Sequence, residues 1–156
     1  KENISIFVEL IKNYGAWFGL QYSIAYFYNV YGPGQVSTGR YSTVIGIFEN
    51  QYASRQPLTV VLPGTQRRFF THISDVVDGL MALLTEGTNE EFCFGDPESN
   101  YSIDEVAKMF TKNIKYIGDK KGDRAGSPLD ISNSQQLLGW TAKVKLIDYI
   151  KEIKDE

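Results

Sequence analysis

The sequence predicts an α/β protein whose long apolar strand lies in a parallel sheet covered by helices. Three observations carry that prediction. Residues 21–31, Gln-Tyr-Ser-Ile-Ala-Tyr-Phe-Tyr-Asn-Val-Tyr, are β-branched and aromatic without interruption, as a strand buried on both faces requires. Strand-like runs alternate with segments of helical spacing along the chain. The chain has 156 residues, 42% apolar and 22% charged, which is one ordinary globular domain's worth of material.

The elements follow in order. Ile4, Phe7, Val8, Ile11, Tyr14 and Phe18 recur at intervals of three and four, which predicts a helix over 2–18 that Gly19 ends. The strand 21–31 stops at Gly32-Pro33-Gly34, and the polar stretch 35–41 reads as a loop. Helical spacing returns at Val44, Ile47, Phe48 and Tyr52. Pro57 introduces the short strand 58–62, closed by Pro63-Gly64, and a further strand is expected over 68–73. Ser74 is the expected N-cap of a helix from Asp75 to about Leu84. Residues 91–95 read as a strand, and Cys93 within them as a buried small hydrophobe. Ser102 and Glu105 form a capping-box pattern that opens a helix over 103–112. A strand at 114–117, a short helix at 132–138 stopped by Gly139, and a last helix at 144–153 complete the chain.

Composition excludes several functions. The net charge is −3 with scattered basic residues, so no nucleic-acid footprint is expected. One cysteine and one histidine cannot build a cysteine cage or a multi-histidine metal centre. No apolar run is long enough to cross a membrane, and no signal-peptide layout opens the chain, so the expected location is cytoplasmic. There is no initial Met and the amphipathic run starts almost at once, so the sequence is expected to begin inside a larger fold. Ten Tyr and nine Phe suit a sugar or nucleotide site, and equally a tyrosine-rich core.

Three clusters carry candidate chemistry. Asn29-Val30-Tyr31-Gly32-Pro33-Gly34-Gln35 lies at the carboxyl end of the predicted core strand, where ligands bind in open α/β sheets. Asn29 can serve a phosphate oxygen or a hydroxyl, or can tie down the Gly-Pro turn. In Gly64-Thr65-Gln66-Arg67-Arg68-Phe69-Phe70-Thr71-His72, adjacent arginines point to opposite faces of a strand. One can therefore enter a cleft and bind a diphosphate with its planar fork, or both can be surface groups. His72 reads as a structural hydrogen bonder rather than a base. Lys120-Lys121-Gly122-Asp123-Arg124 can close over a nucleotide or form an exposed loop, with Leu137-Leu138-Gly139-Trp140 packed behind. A glycine-rich phosphate loop after a strand and a Gly-x-Ser-x-Gly elbow are both missing from the sequence.

The order of these motifs resembles the extended short-chain dehydrogenase/reductase family, within it the UDP-glucose 4-epimerases and related NAD-dependent sugar-nucleotide epimerases and dehydratases. It covers roughly residues 5–150 and corresponds to the C-terminal portion. The resemblance implies a Rossmann remnant over 1–34 and a small α/β substrate-binding region over 35–156, with the strand near 91–95 returning to the Rossmann sheet. It implies that Asn29 and Arg68 contact the diphosphate of a nucleotide sugar. It places Asp123 and Lys120 near the ribose and base, and lays the nucleobase along the strand that carries Leu58 and Val60. NAD belongs to the parent enzyme, with none expected to bind this chain tightly. A homodimer through residues 2–18 is implied as well.

The departures are specific. Residues 5–20 resemble the second half of the catalytic helix, but the lysine expected near Ile4 or Ser5 is absent. Lys120 replaces the arginine of an Arg-Pro-Gly-Asp turn, Phe69 replaces an aspartate, and Tyr26 stands where many relatives carry arginine. The expected function is therefore sugar-nucleotide binding without turnover by this chain alone. The alternative is a non-catalytic binding or assembly module derived from the family.

Overall fold

The computed structural model describes residues 2–85, 89–118, 126 and 128–155, with side chains from residue 5. Helix α1 (Glu2–Phe18) leads into β1 (Ser23–Phe27) and β2 (Val30–Tyr31), then α2 (Val44–Ala53) and β3 (Leu58–Val61). Strands β4 (Arg67–Phe69) and β5 (Thr71–His72) precede α3 (Ile73–Leu83) and β6 (Glu90–Phe94). The chain continues through β7 (Asn100–Ser102), α4 (Ile103–Phe110), β8 (Ile114–Ile117), α5 (Ser132–Leu138) and α6 (Leu146–Asp155).

The α/β class is as expected, and the strands pair in twos. β1 runs parallel to β6, β2 to β5 and β3 to β8, while β4 and β7 are antiparallel. Each parallel pair is joined through a helical crossover, the connection such pairs require.

The predicted single strand 21–31 is in fact two. Asn29 sits at φ 33°, a left-handed conformation that Asn tolerates better than its Tyr and Val neighbours. The kink hands the chain from β6 to β5. The strand expected over 68–73 is likewise split, and its helix begins earlier than expected. His72, not Ser74, is the N-cap of α3: the His72 backbone is extended, and Nδ1 accepts from the Ser74 backbone N–H at 3.2 Å. The last helix starts at Leu146 rather than residue 144. The Val144 amide instead donates to the Asp75 carboxylate at 3.0 Å. Cys93 is only half-buried, with the Tyr28 hydroxyl 3.6 Å from its sulfur.

Two apolar cores result. Tyr31, Phe48, Leu58, Val60, Phe70, Val106, Phe110, Leu146 and Ile150 pack α2, α4 and α6 against β2 and β3. Phe92, Phe94 and Trp140 form a second cluster beneath β1, α3 and α5. Gly79 permits that second contact, because a Cβ there would lie 2.4 Å from the Phe94 ring. The α4 capping box forms as predicted: Glu105 N–H donates to Ser102 Oγ, and the Ser102 amide to Glu105 Oε2. Gly139 ends α5 at φ 61°.

Candidate nucleotide site

The site begins at the kink. Asn29 Nδ2 donates to the Phe69 carbonyl at 2.9 Å, which fastens the β1–β2 break to the end of β4. The alternation of β4 then separates the arginines as predicted. Arg67 faces outward, bridging Glu105 at 3.0 Å and donating to the Asn100 carbonyl. Arg68 faces the opposite way, and its Nη1 also donates to the Arg67 carbonyl at 2.8 Å. Asn29 and Arg68 thus lie 39 positions apart in the chain (68 − 29) and line one cavity of about 550 Å³.

The rest of the cavity is built from β3, β8 and the start of α2. Val61 and Ile117 give it an apolar wall beside Thr59, and the start of α2 enters through Thr43, Val44 and Ile45. Thr43 caps that helix by accepting from the Gly46 amide at 3.0 Å. Gln35 fixes the preceding loop: it receives the Thr43 hydroxyl at 2.7 Å and donates to Glu49 at 2.8 Å. Burial raises the Glu49 carboxyl above its ordinary value, opposed by hydrogen bonds from Tyr149 and Gln35. A helix N-terminus and an arginine on one cavity attract an anion. Among the described residues that line it, Arg68 alone carries a formal charge.

The other expected residues fall differently. Leu58 and Val60 are fully buried in the larger core, and β3 presents Thr59 and Val61 to the cavity instead. The strand is adjacent as expected, with the opposite face turned inward. Lys120 and Asp123 lie outside the described residues. Tyr26 is away from the cavity, donating to Glu91 Oε2 at 2.6 Å while Lys12 bridges Glu91 Oε1 at 2.6 Å. Burial and the Glu91 hydrogen bond push the Tyr26 hydroxyl up to about 12. His72 packs edge-on to Tyr31 and close to Tyr149, consistent with its structural reading. Sequence reasoning missed Asp75. Its buried carboxylate accepts from the Lys143 and Val144 amides, and its carbonyl from the Trp140 indole at 2.8 Å. Gln66 lies within the Gly64–His72 motif, but no local feature of the sequence marks its side chain.

The helices, the parallel strand pairs and the cavity lined by Asn29 and Arg68 define an α/β protein with one cationic pocket among the described residues. The model of the NAD dependent epimerase/dehydratase family matches residues 6–95, and the chain belongs to that family. UDP-glucuronic acid decarboxylase 5 of Arabidopsis thaliana is 33% identical over 144 residues, 88% of this chain and 41% of that protein. UDP-glucuronate 4-epimerase of Thermodesulfobacterium geofontis is 27% identical over 148 residues, 91% of this chain and 45% of that protein. Among solved structures, UDP-glucose 4-epimerase of Thermotoga maritima with UDP-glucose superposes at a TM-score of 0.83, with 26% identity, covering 99% of this chain and 50% of that one. UDP-glucuronic acid 4-epimerase of Bacillus cereus, in complex with a fluorinated UDP-glucuronic acid analogue and NAD, superposes at 0.77 with 26% identity, covering 93% and 50%. The chain therefore spans about half the length of the relatives it matches.

None of the described strands passes through a glycine-rich turn straight into a helix, the arrangement that cradles a dinucleotide pyrophosphate. No described helix is long and apolar enough to cross a membrane, and no described cluster of His, Cys, Asp and Glu could hold a metal ion.

Proposed function

We propose that this chain is the sugar-nucleotide-binding part of an NAD-dependent epimerase/dehydratase and takes a UDP-linked hexose or hexuronic acid. The observation that carries this reading is the shared cavity of Asn29 and Arg68, with Arg68 its one formal charge among the described residues. The guanidinium fork grips diphosphate oxygens, the α2 N-terminus adds aligned backbone donors, and Asn29 contributes a further polar contact. The nucleobase lies along β3 against Thr59 and Val61, on the face opposite Leu58 and Val60. Lys120 and Asp123 serve the ribose side, as the family resemblance implies. The UDP-sugars named for the relatives support the substrate class.

Residues 1–34 belong with the cofactor-holding half of the parent fold, and 35–156 form the substrate region, with β6 returning to pair with β1. NAD serves the parent enzyme and does not bind this chain tightly. The outer face of α1, with exposed Phe7, Leu10, Tyr14, Trp17 and Phe18, is the homodimer surface. The second reading, a non-catalytic binding or assembly module, is favoured by the changed positions Tyr26 and Phe69, where the family resemblance implies arginine and aspartate.

Calorimetric titration of the chain with UDP tests the binding claim. Binding is expected, and Arg68→Ala weakens it by roughly ten- to a hundredfold, the worth of a charge-assisted hydrogen-bond pair. Wild-type and variant isotherms that coincide would remove the reading. Incubation with UDP-glucose and NAD is expected to give no sugar product, and turnover would refute the inactivity of the chain.

A further inference from the structure

We propose that Gln66 accepts a hydrogen bond from a pentose hydroxyl of the bound nucleotide and discriminates against nucleotides that lack that hydroxyl. The inference rests on the nucleotide-binding reading above and adds a specificity residue to it.

The starting observation is a defect in the wall of the cavity. Gln66 Oε1 is shielded from solvent and has no hydrogen-bond partner among the described residues. A buried acceptor left in that state costs about 1–3 kcal/mol, so native proteins rarely tolerate one without a reason. Gln66 lines the same cavity as Arg68 and Asn29.

The other neutral polar side chains of that lining are already engaged. Ser42 Oγ donates to the Gly39 carbonyl at 2.8 Å, and Thr43 Oγ1 caps α2 and donates to Gln35. Thr59 Oγ1 accepts from Gln51 at 2.8 Å, and Asn29 donates to Phe69. Among the described residues, Gln66 Oε1 is the one buried side-chain polar atom left without a hydrogen-bond partner.

Position narrows the ligand group. The Gln66 carbonyl is held by the Ile103 amide at the head of α4, so the main chain is anchored and the side chain is the adjustable part. Gln66 immediately precedes β4 and lines the cavity with Arg68, while Arg67 between them turns away to Glu105, and two residues of extended chain span about 7 Å. The ionised diphosphate oxygens that Arg68 would grip are acceptors and cannot satisfy an acceptor. About one pentose ring further along the ligand are hydroxyls, which donate and accept at once and so match both ends of an amide. The last torsion of glutamine is broad, so the amide turns to meet a hydroxyl without leaving its rotamer.

A site built to hydrogen-bond a hydroxyl discriminates against the analogue that lacks it. The test is calorimetry of the full chain with UDP, 2′-deoxy-UDP and 3′-deoxy-UDP, on wild type, Gln66→Leu, Gln66→Glu and Arg68→Ala. The wild type is expected to bind UDP about tenfold more tightly than one of the two deoxy ligands. Gln66→Leu brings that ratio near one by weakening UDP alone. Gln66→Glu keeps an acceptor, so it retains the ratio while weakening all three ligands beside the diphosphate, and it serves if the leucine variant does not fold. Arg68→Ala weakens all three and leaves the ratio intact. A wild type that binds UDP without discrimination overturns the proposal alone, as does a Gln66→Leu chain that keeps the wild-type ratio. A wild type that binds none of the three ligands overturns the proposal and the nucleotide reading together.

Discussion

Replacing Asp75 with alanine should cost more stability than any other single polar change described above. Asp75 is 2% exposed, and its Oδ2 accepts from two consecutive amides, Lys143 and Val144, each at 3.0 Å. Those amides lie between α5 and α6, so the carboxylate stitches that segment to α3. A hydrogen bond to a charged group contributes about 1.5–3 kcal/mol, and a donor left buried without a partner loses its desolvation energy outright. Two such bonds to one oxygen are not additive, which places Asp75→Ala at about 2–4 kcal/mol. For a domain of this size that is a fall in Tm of about 5–15 °C. Asp75→Asn keeps the shape and one acceptor oxygen, and should lose about half as much. Urea unfolding followed by circular dichroism reads the change as a lower midpoint at constant slope. A loss below about 1 kcal/mol for the alanine variant would show that water or a local shift satisfies both amides, and the stitch would be wrong.

Two other outcomes follow from the same contacts. Burial holds the His72 imidazole below its ordinary value, against the opposing pull of Asp75 and Glu152, and its neutral Nδ1 caps α3. The unfolded chain therefore binds the proton more readily, and stability falls as pH drops below the ordinary histidine value of about 6.5. Thermal melts between pH 7.5 and 5.5 should show a larger acid loss for wild type than for His72→Asn, and equal losses would contradict the capping role. The exposed apolar face of α1 should drive self-association, with a mass that rises with concentration in light scattering. Leu10→Asp should lower that mass, whereas a clean monomer at every concentration would remove the dimer surface.

What was legible in the sequence was mostly local. The Ser102 and Glu105 capping box, the three-four spacing of α1 and the Gly139 stop depend on residues within one or two turns, and each formed as read. The opposed faces of Arg67 and Arg68 were also legible, because strand alternation needs no partner to define it. The break at Asn29 was not, since the aromatic run continues through it and the kink follows from pairing with two different strands. The phase of β3 was hidden for another reason. Leu58-Thr59-Val60-Val61 offers apolar groups to both faces, so spacing could not say that Leu58 and Val60 enter the core. His72 and Ser74 are both capable caps, and only the extended backbone at His72 decides between them. Asp75 and Gln66 lay beyond reach because their significance depends on atoms far along the chain, present for one and missing for the other.

The most direct test is a double-mutant cycle on ligand binding with Asn29→Gly and Arg68→Ala, glycine being chosen because it accepts the positive φ at that position. UDP and uridine are titrated calorimetrically into wild type, both single variants and the double. If the two side chains meet one diphosphate, each single variant weakens UDP and spares uridine, and the double loses less than the sum, with a coupling of about 0.5–3 kcal/mol. Strictly additive losses, or losses as large for uridine as for UDP, would mean that the two residues do not share the phosphates.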